Sequence, residues 1–124
     1  MENANAKLVA ETLRGIGLSP KYKGYVYALY MLCLALDDFT RVHSMAARLY
    51  GAACEKYNAT SGAVERNLRF AIRRAWDADH TGAMHRLFQS YSIFYTPTNR
   101  EFIAVLSDYM RLGGTPKGTQ LRMW

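Results

Sequence analysis

The stretch from Leu49 to Trp76, LYGAACEKYNATSGAVERNLRFAIRRAW, decides the fold. It reads as two helices joined by Asn58-Ala59-Thr60, a tight polar link. Helices joined so closely must turn sharply against each other. Gly51, Ala52, Ala53 and Cys54 supply small side chains for the crossing. On the second helix, Ser61 to about Ala78, the helical period puts Val64, Leu68, Ala71, Ile72 and Ala75 on one side. Arg66, Arg69 and Arg73 fall near the opposite side as a single basic stripe, flanked by Glu65 and Phe70. A docked apolar face backed by outward arginines matches the recognition helix of a helix-turn-helix. Arginine suits that work because its planar fork bonds a guanine edge bidentately and also satisfies phosphates. Ser61 and Gly62 open the helix, where free N–H groups and the helix dipole can hold a phosphate. The same residues also fit a structural or protein-interaction bundle. Helix pairs with short links are common there, and Glu65 can pair with Arg69 four residues on.

Outward from this pair the helical period continues. Leu8, Val9, Thr12, Leu13 and Ile16 mark a first helix, ended by Gly17 and Ser19-Pro20. Ser19 is expected to cap a second helix running from about Pro20 to Leu36. Its run YVYALYMLCLAL is apolar on nearly all sides, which marks the helix around which the others pack. The third helix is expected over about Val42–Tyr57, with Val42, Ala46, Leu49 and Ala53 on one face. A fifth is expected over about Thr81–Tyr91. Residues 92–99, SIFYTPTN, read as irregular because Pro97 disfavours a helical Thr96. Thr98 and Glu101 form a capping-box signal for a last helix that ends near Leu112, before Gly113-Gly114. The expectation is an all-α, compact six-helix domain whose third and fourth helices form the helix-turn-helix. One domain spans residues 1–124, with a tail at 113–124 that either moves freely or docks.

Length and composition agree. The 124 residues suit one domain, and half of them are hydrophobic, enough for a real core. The net charge of +6 permits a polyanionic partner without requiring one. No basic leader precedes a hydrophobic stretch at the start, so a cytoplasmic location is expected. The most apolar run is too short to span a bilayer, so no membrane association is expected. Cys33 and Cys54 lie in apolar helical contexts without CxxC spacing and are expected as free buried thiols.

Catalytic constellations are missing. His80 and His85 are not at an i,i+4 spacing, and no cysteine completes a metal set with them. Cys54 and His43 lie three turns apart. Asp37, Asp38, Asp77 and Asp79 lie at helix ends or in loops, where solvated or capping roles are the default. No phosphate-binding glycine motif occurs. No enzyme, metal or cofactor is expected. Most tyrosines lie in or beside the central helix, and Trp76 is expected in the core near Phe88 and Phe102. Phe94 and Tyr95 are the aromatics best placed for a protein contact. Lys21, Lys23, Arg41, Arg48 and Lys56 are candidates for backbone-phosphate contacts.

The stretch from Lys56 to Trp76, KYNATSGAVERNLRFAIRRAW, resembles the recognition-helix region of the C-terminal DNA-binding effector domain of the endospore-formation master response regulator. Ile16-Gly17 with Lys23-Gly24-Tyr25-Val26-Tyr27 is similar to that family's early pattern. Residues 97–104, PTNREFIA, with Asp108 and Arg111-Leu112, are similar to its late one. Together these cover about residues 12–112 in order. The resemblance implies a six-helix fold and sequence-specific binding of double-stranded DNA in the major groove, often as tandem copies or a homodimer. It also implies transcription regulation, with RNA polymerase or its sigma subunit as a further partner. Glu65, Arg66 and Arg69 correspond to the family's DNA-facing surface, and Ser61 and Gly62 align near its start. Lys56, Arg73 and Arg74 complete the candidate DNA-binding set. The family has arginine where this chain has Ala63, histidine at Phe70, an acid at Arg73 and an apolar residue at Arg74. These departures imply a changed sequence preference. The family's phosphorylated receiver module has no counterpart in this sequence. The alternative is a protein-interaction or inhibitory module that keeps the fold with weak or non-specific DNA binding.

Overall fold

A computed structural model describes residues 5–113. The described residues form six α-helices and no strand: α1 (Ala6–Gly15), α2 (Lys23–Asp37), α3 (Gly51–Tyr57), α4 (Ser61–Asp77), α5 (Ala83–Gln89) and α6 (Asn99–Arg111). Of the tail expected at 113–124, all but Gly113 lies outside the described residues.

The central helix is α2, as its all-round apolar sequence requires. Ala28, Met31, Leu32 and Ala35 are wholly buried, and α2 packs against α1, α4 and α6. Its start differs from expectation. Ser19 does not cap a helix at Pro20. Its Oγ accepts the Lys21 N–H at 3.3 Å within a turn, Tyr22 is extended at φ −98° and ψ 144°, and the helix begins at Lys23.

The third helix is not the continuous element expected over Val42–Tyr57. A 3-10 turn at Phe39–Ser44 is followed by a π-helical turn at Met45–Tyr50, and α3 begins at Gly51. The cause is a side-chain clamp. Asp38 caps the 3-10 turn through the Thr40 N–H at 3.1 Å, and Arg48 reaches back to Asp38 Oδ2 at 2.7 Å and Thr40 Oγ1 at 3.0 Å. Arg41 donates to the Arg48 carbonyl at 3.1 Å. These bonds tighten one turn and widen the next, where the Gly51 N–H bonds the Ala46 carbonyl. The wide turn shifts the face, so Met45 is buried and the expected Ala46 is exposed. Donors from Thr40 and Arg48 hold the Asp38 carboxyl below its ordinary range.

Helix α5 is shorter than the expected Thr81–Tyr91. Gly82 at φ 78° breaks the chain before it and Ser92 at φ 64° turns it after. Asp79 closes the start of α5 by accepting N–H bonds from His85 at 2.8 Å and Met84 at 3.3 Å. Of the solvated and capping roles open to this aspartate, the structure shows the capping one. Helix α6 carries the full capping box of Thr98 and Glu101. Trp76 is 9% exposed and meets Phe88 edge-on at 6.3 Å. Cys33 and Cys54 are free thiols, with Cys33 buried but Cys54 only half-buried, against the expectation for both. Burial, reinforced by Asp37, pushes the Cys33 thiol up.

Candidate nucleic-acid interface

Helix α4 starts where its sequence directs. Asn58 takes the left-handed conformation at φ 53°, which asparagine tolerates, and closes α3. Thr60 is the N-cap, and its hydroxyl accepts the Ala63 N–H at 3.1 Å. Ser61 and Gly62 therefore occupy the first turn, and their N–H groups precede any carbonyl the helix could offer.

The buried face of α4 is Val64, Leu68, Ala71, Ile72, Ala75 and Trp76. Glu65, Arg66, Arg69, Arg73 and Arg74 are exposed on the other side, and Lys56 is exposed at the end of α3. The wheel expected from the sequence is thus reproduced. Arg66, Arg69 and Arg73 line one open depression of ≈ 410 Å³ together with Asn67 and Phe70. Phe70 flanks the stripe, as its spacing requires, and its ring borders the same depression.

Few of these cations are held. The Glu65–Arg69 pair spans 4.0 Å with both side chains more than half exposed. Such a pair is worth little and opens readily. Arg74 lies 5.9 Å from the Phe70 ring and Lys56 5.8 Å from the Tyr30 ring. Arg41 and Arg48, candidates for phosphate contacts, are engaged instead in the clamp before α3.

At the α3–α4 crossing the expected small side chains are buried only in part. Of Gly51, Ala52, Ala53 and Cys54, only Ala53 is buried. The close approach is between α2 and α4, at Gly24. A Cβ there would lie 2.7 Å from Ala71 Cβ and nearer still to the Asn67 carbonyl oxygen. The sequence carried a faint signal, a glycine near the start of an otherwise apolar helix. Asn99 is a second positioning residue absent from the sequence reading. It is 8% exposed, and its amide donates to the Tyr50 hydroxyl at 2.9 Å and the Glu65 carbonyl at 3.1 Å. Helix α6 thereby fixes the outer half of α4. Burial pushes the Tyr50 phenol up from its ordinary value, although the Asn99 bond opposes that.

Among the described residues, no three His, Cys, Asp or Glu side chains gather as a metal site, and no helix is long and apolar enough to cross a membrane. The family described as sporulation initiation factor Spo0A C terminal matches residues 9–110. The chain belongs to that family. Spo0A C-terminal domains bind DNA and activate transcription, and they are not enzymes. The match contains every element from most of α1 through nearly all of α6, and with them Gly24, Asn99 and the whole of α4. In this Spo0A C-terminal domain the exposed cations of α4 are backed by the most extensive helix contact among the described residues, that with α2.

Proposed function

We propose that this chain binds double-stranded DNA sequence-specifically and regulates transcription, acting as one domain over residues 1–124. Helices α3 and α4 serve as the helix-turn-helix, with α4 seated in the major groove. The observation that carries this reading is the stripe of Arg66, Arg69 and Arg73, exposed along one face while the opposite face is fully packed. A rigid helix with loosely held guanidinium groups presents donors to base edges without first breaking strong bonds of its own.

Arg66 and Arg69 read base edges or fix the adjacent phosphates. Glu65 accepts from a cytosine amino group or orients Arg69. Arg73, Arg74 and Lys56 contribute phosphate affinity, and the N–H groups of Ser61 and Gly62 receive a phosphate at the helix start. With Ala63 offering no long side chain, the preferred element differs from that of relatives with arginine there. Tandem binding on adjacent sites and contact with RNA polymerase or its sigma subunit belong to the same reading.

Selection of duplexes from a random pool by the purified chain tests it. Enrichment of one motif, lost on Arg66→Ala and Arg69→Ala, supports the reading. Salt-sensitive binding without enrichment points to non-specific binding, and no binding points to a protein-interaction module. Either of those outcomes overturns sequence-specific regulation.

A further inference from the structure

We infer that Phe70 is a specificity-determining residue that contacts the C5 methyl group of thymine in the major groove. The inference rests on the proposed DNA-binding role of α4.

Phe70 lies four residues after Arg66 and three before Arg73, on the flank of the outward stripe. It lines the same depression as Arg66, Asn67, Arg69 and Arg73. Its exposure is 49%, whereas Val64, Leu68 and Ile72 on the same helix are at most 1% exposed. The ring therefore contributes little to the core. It is nonetheless held in place. Tyr22, at the turn before α2, meets it edge-on at 5.2 Å with an interplanar angle of 87°, and Arg74 lies 5.9 Å from its centre. An aromatic side chain fixed in this way loses little conformational freedom on binding.

The chemistry of the groove then selects its partner. In an intact duplex the base faces are covered by their neighbours, so a ring entering the major groove meets only edges. Among the polar donors and acceptors on those edges, the thymine methyl is the one alkyl group that projects into the groove. The surrounding arginines satisfy the polar positions and the phosphates. An apolar ring among them is matched by a methyl group, and facing a polar edge it would only strip away water.

Replacing single thymines by uracil removes the methyl and leaves the hydrogen-bonding edge unchanged. The parent chain is expected to lose roughly fourfold affinity at one or two positions of its selected duplex, the worth of one buried methyl group. Phe70→Ala should bind the thymine duplex more weakly by a similar factor and no longer distinguish uracil there. Phe70→Leu should retain part of the discrimination. Unchanged circular dichroism would show that both variants fold, as a half-exposed position requires. Equal thymine–uracil discrimination by parent and Phe70→Ala would overturn the inference. So would undiminished binding by Phe70→Ala, which would leave the ring to a protein partner. A flat uracil scan on an enriched duplex refutes only the role of Phe70, whereas failure to enrich any duplex refutes the DNA reading beneath it.

Discussion

Replacing Gly24 by alanine should destabilise the domain, although alanine is the better helix former. The added Cβ would stand 2.7 Å from Ala71 Cβ and 2.9 Å from the Asn67 carbonyl carbon. Carbon atoms pack best at about 3.5–4.0 Å, so α2 and α4 would have to separate by about 1 Å. Two of the three close atoms belong to the α4 backbone, which has no flexible end to swing aside. Overpacking of this kind costs about 1–3 kcal/mol. The propensity gain of about 1 kcal/mol in a helix interior is smaller near a helix start and offsets only part of it. A net loss of about 1–2 kcal/mol should lower the urea midpoint by roughly 0.5–1 M at an unchanged slope. Gly51→Ala is the matched control. Gly51 is exposed, and its nearest neighbour, the Ala46 carbonyl oxygen, would lie at an ordinary 3.6 Å. The unfolded-state effect of Gly→Ala is common to both variants, so the difference between them isolates the helix contact. Gly51→Ala should match or exceed the parent. If Gly24→Ala unfolds at the same urea concentration as Gly51→Ala, the close contact does not constrain α4 and the reasoning is wrong. Because the outward face of α4 moves with its packed face, Gly24→Ala should also bind a selected duplex more weakly.

Arg66→Ala should cost about 1–3 kcal/mol on the preferred duplex and relax preference at one base pair, as measured by binding to single-base variants. Arg73→Ala should weaken all duplexes alike and flatten the plot of log affinity against log salt by about one. Asn99→Ala removes both amide bonds to Tyr50 and Glu65 and should cost about 1–3 kcal/mol in urea unfolding, with reduced duplex affinity. Arg66→Ala binding every duplex as the parent does, an unaltered Arg73→Ala salt slope, or parent-like stability of Asn99→Ala would each refute the assigned role. Asp79 gives a pH signature. Burial opposes its charge, but donors from His85 and Met84 outweigh that and hold it below its ordinary value of 3.8. Its contribution is therefore complete above that value and is lost as pH falls through the lower, folded-state value. Asp79→Asn should show a shallower loss of urea stability in acid than the parent. Identical acid profiles would exclude the cap as the source.

By itself the sequence determined the all-helical class, the central place of α2, the capping box of α6 and the division of α4 into packed and cationic faces. These are local properties. Helical period, caps and glycine positions act over a few residues, and a single helix can express them without knowing its neighbours. The same holds for Arg66, Arg69 and Arg73, whose common direction follows from spacing alone. Tertiary structure decided what depends on residues distant in sequence. The clamp from Asp38 to Arg48 changes the helix type before α3. The Gly24 contact sets how closely α4 approaches α2. Asn99 reaches back to Tyr50 and Glu65, and Tyr22 holds Phe70 beside the arginine stripe. No periodicity announces these pairs, because each depends on where two helices cross rather than on how either one repeats.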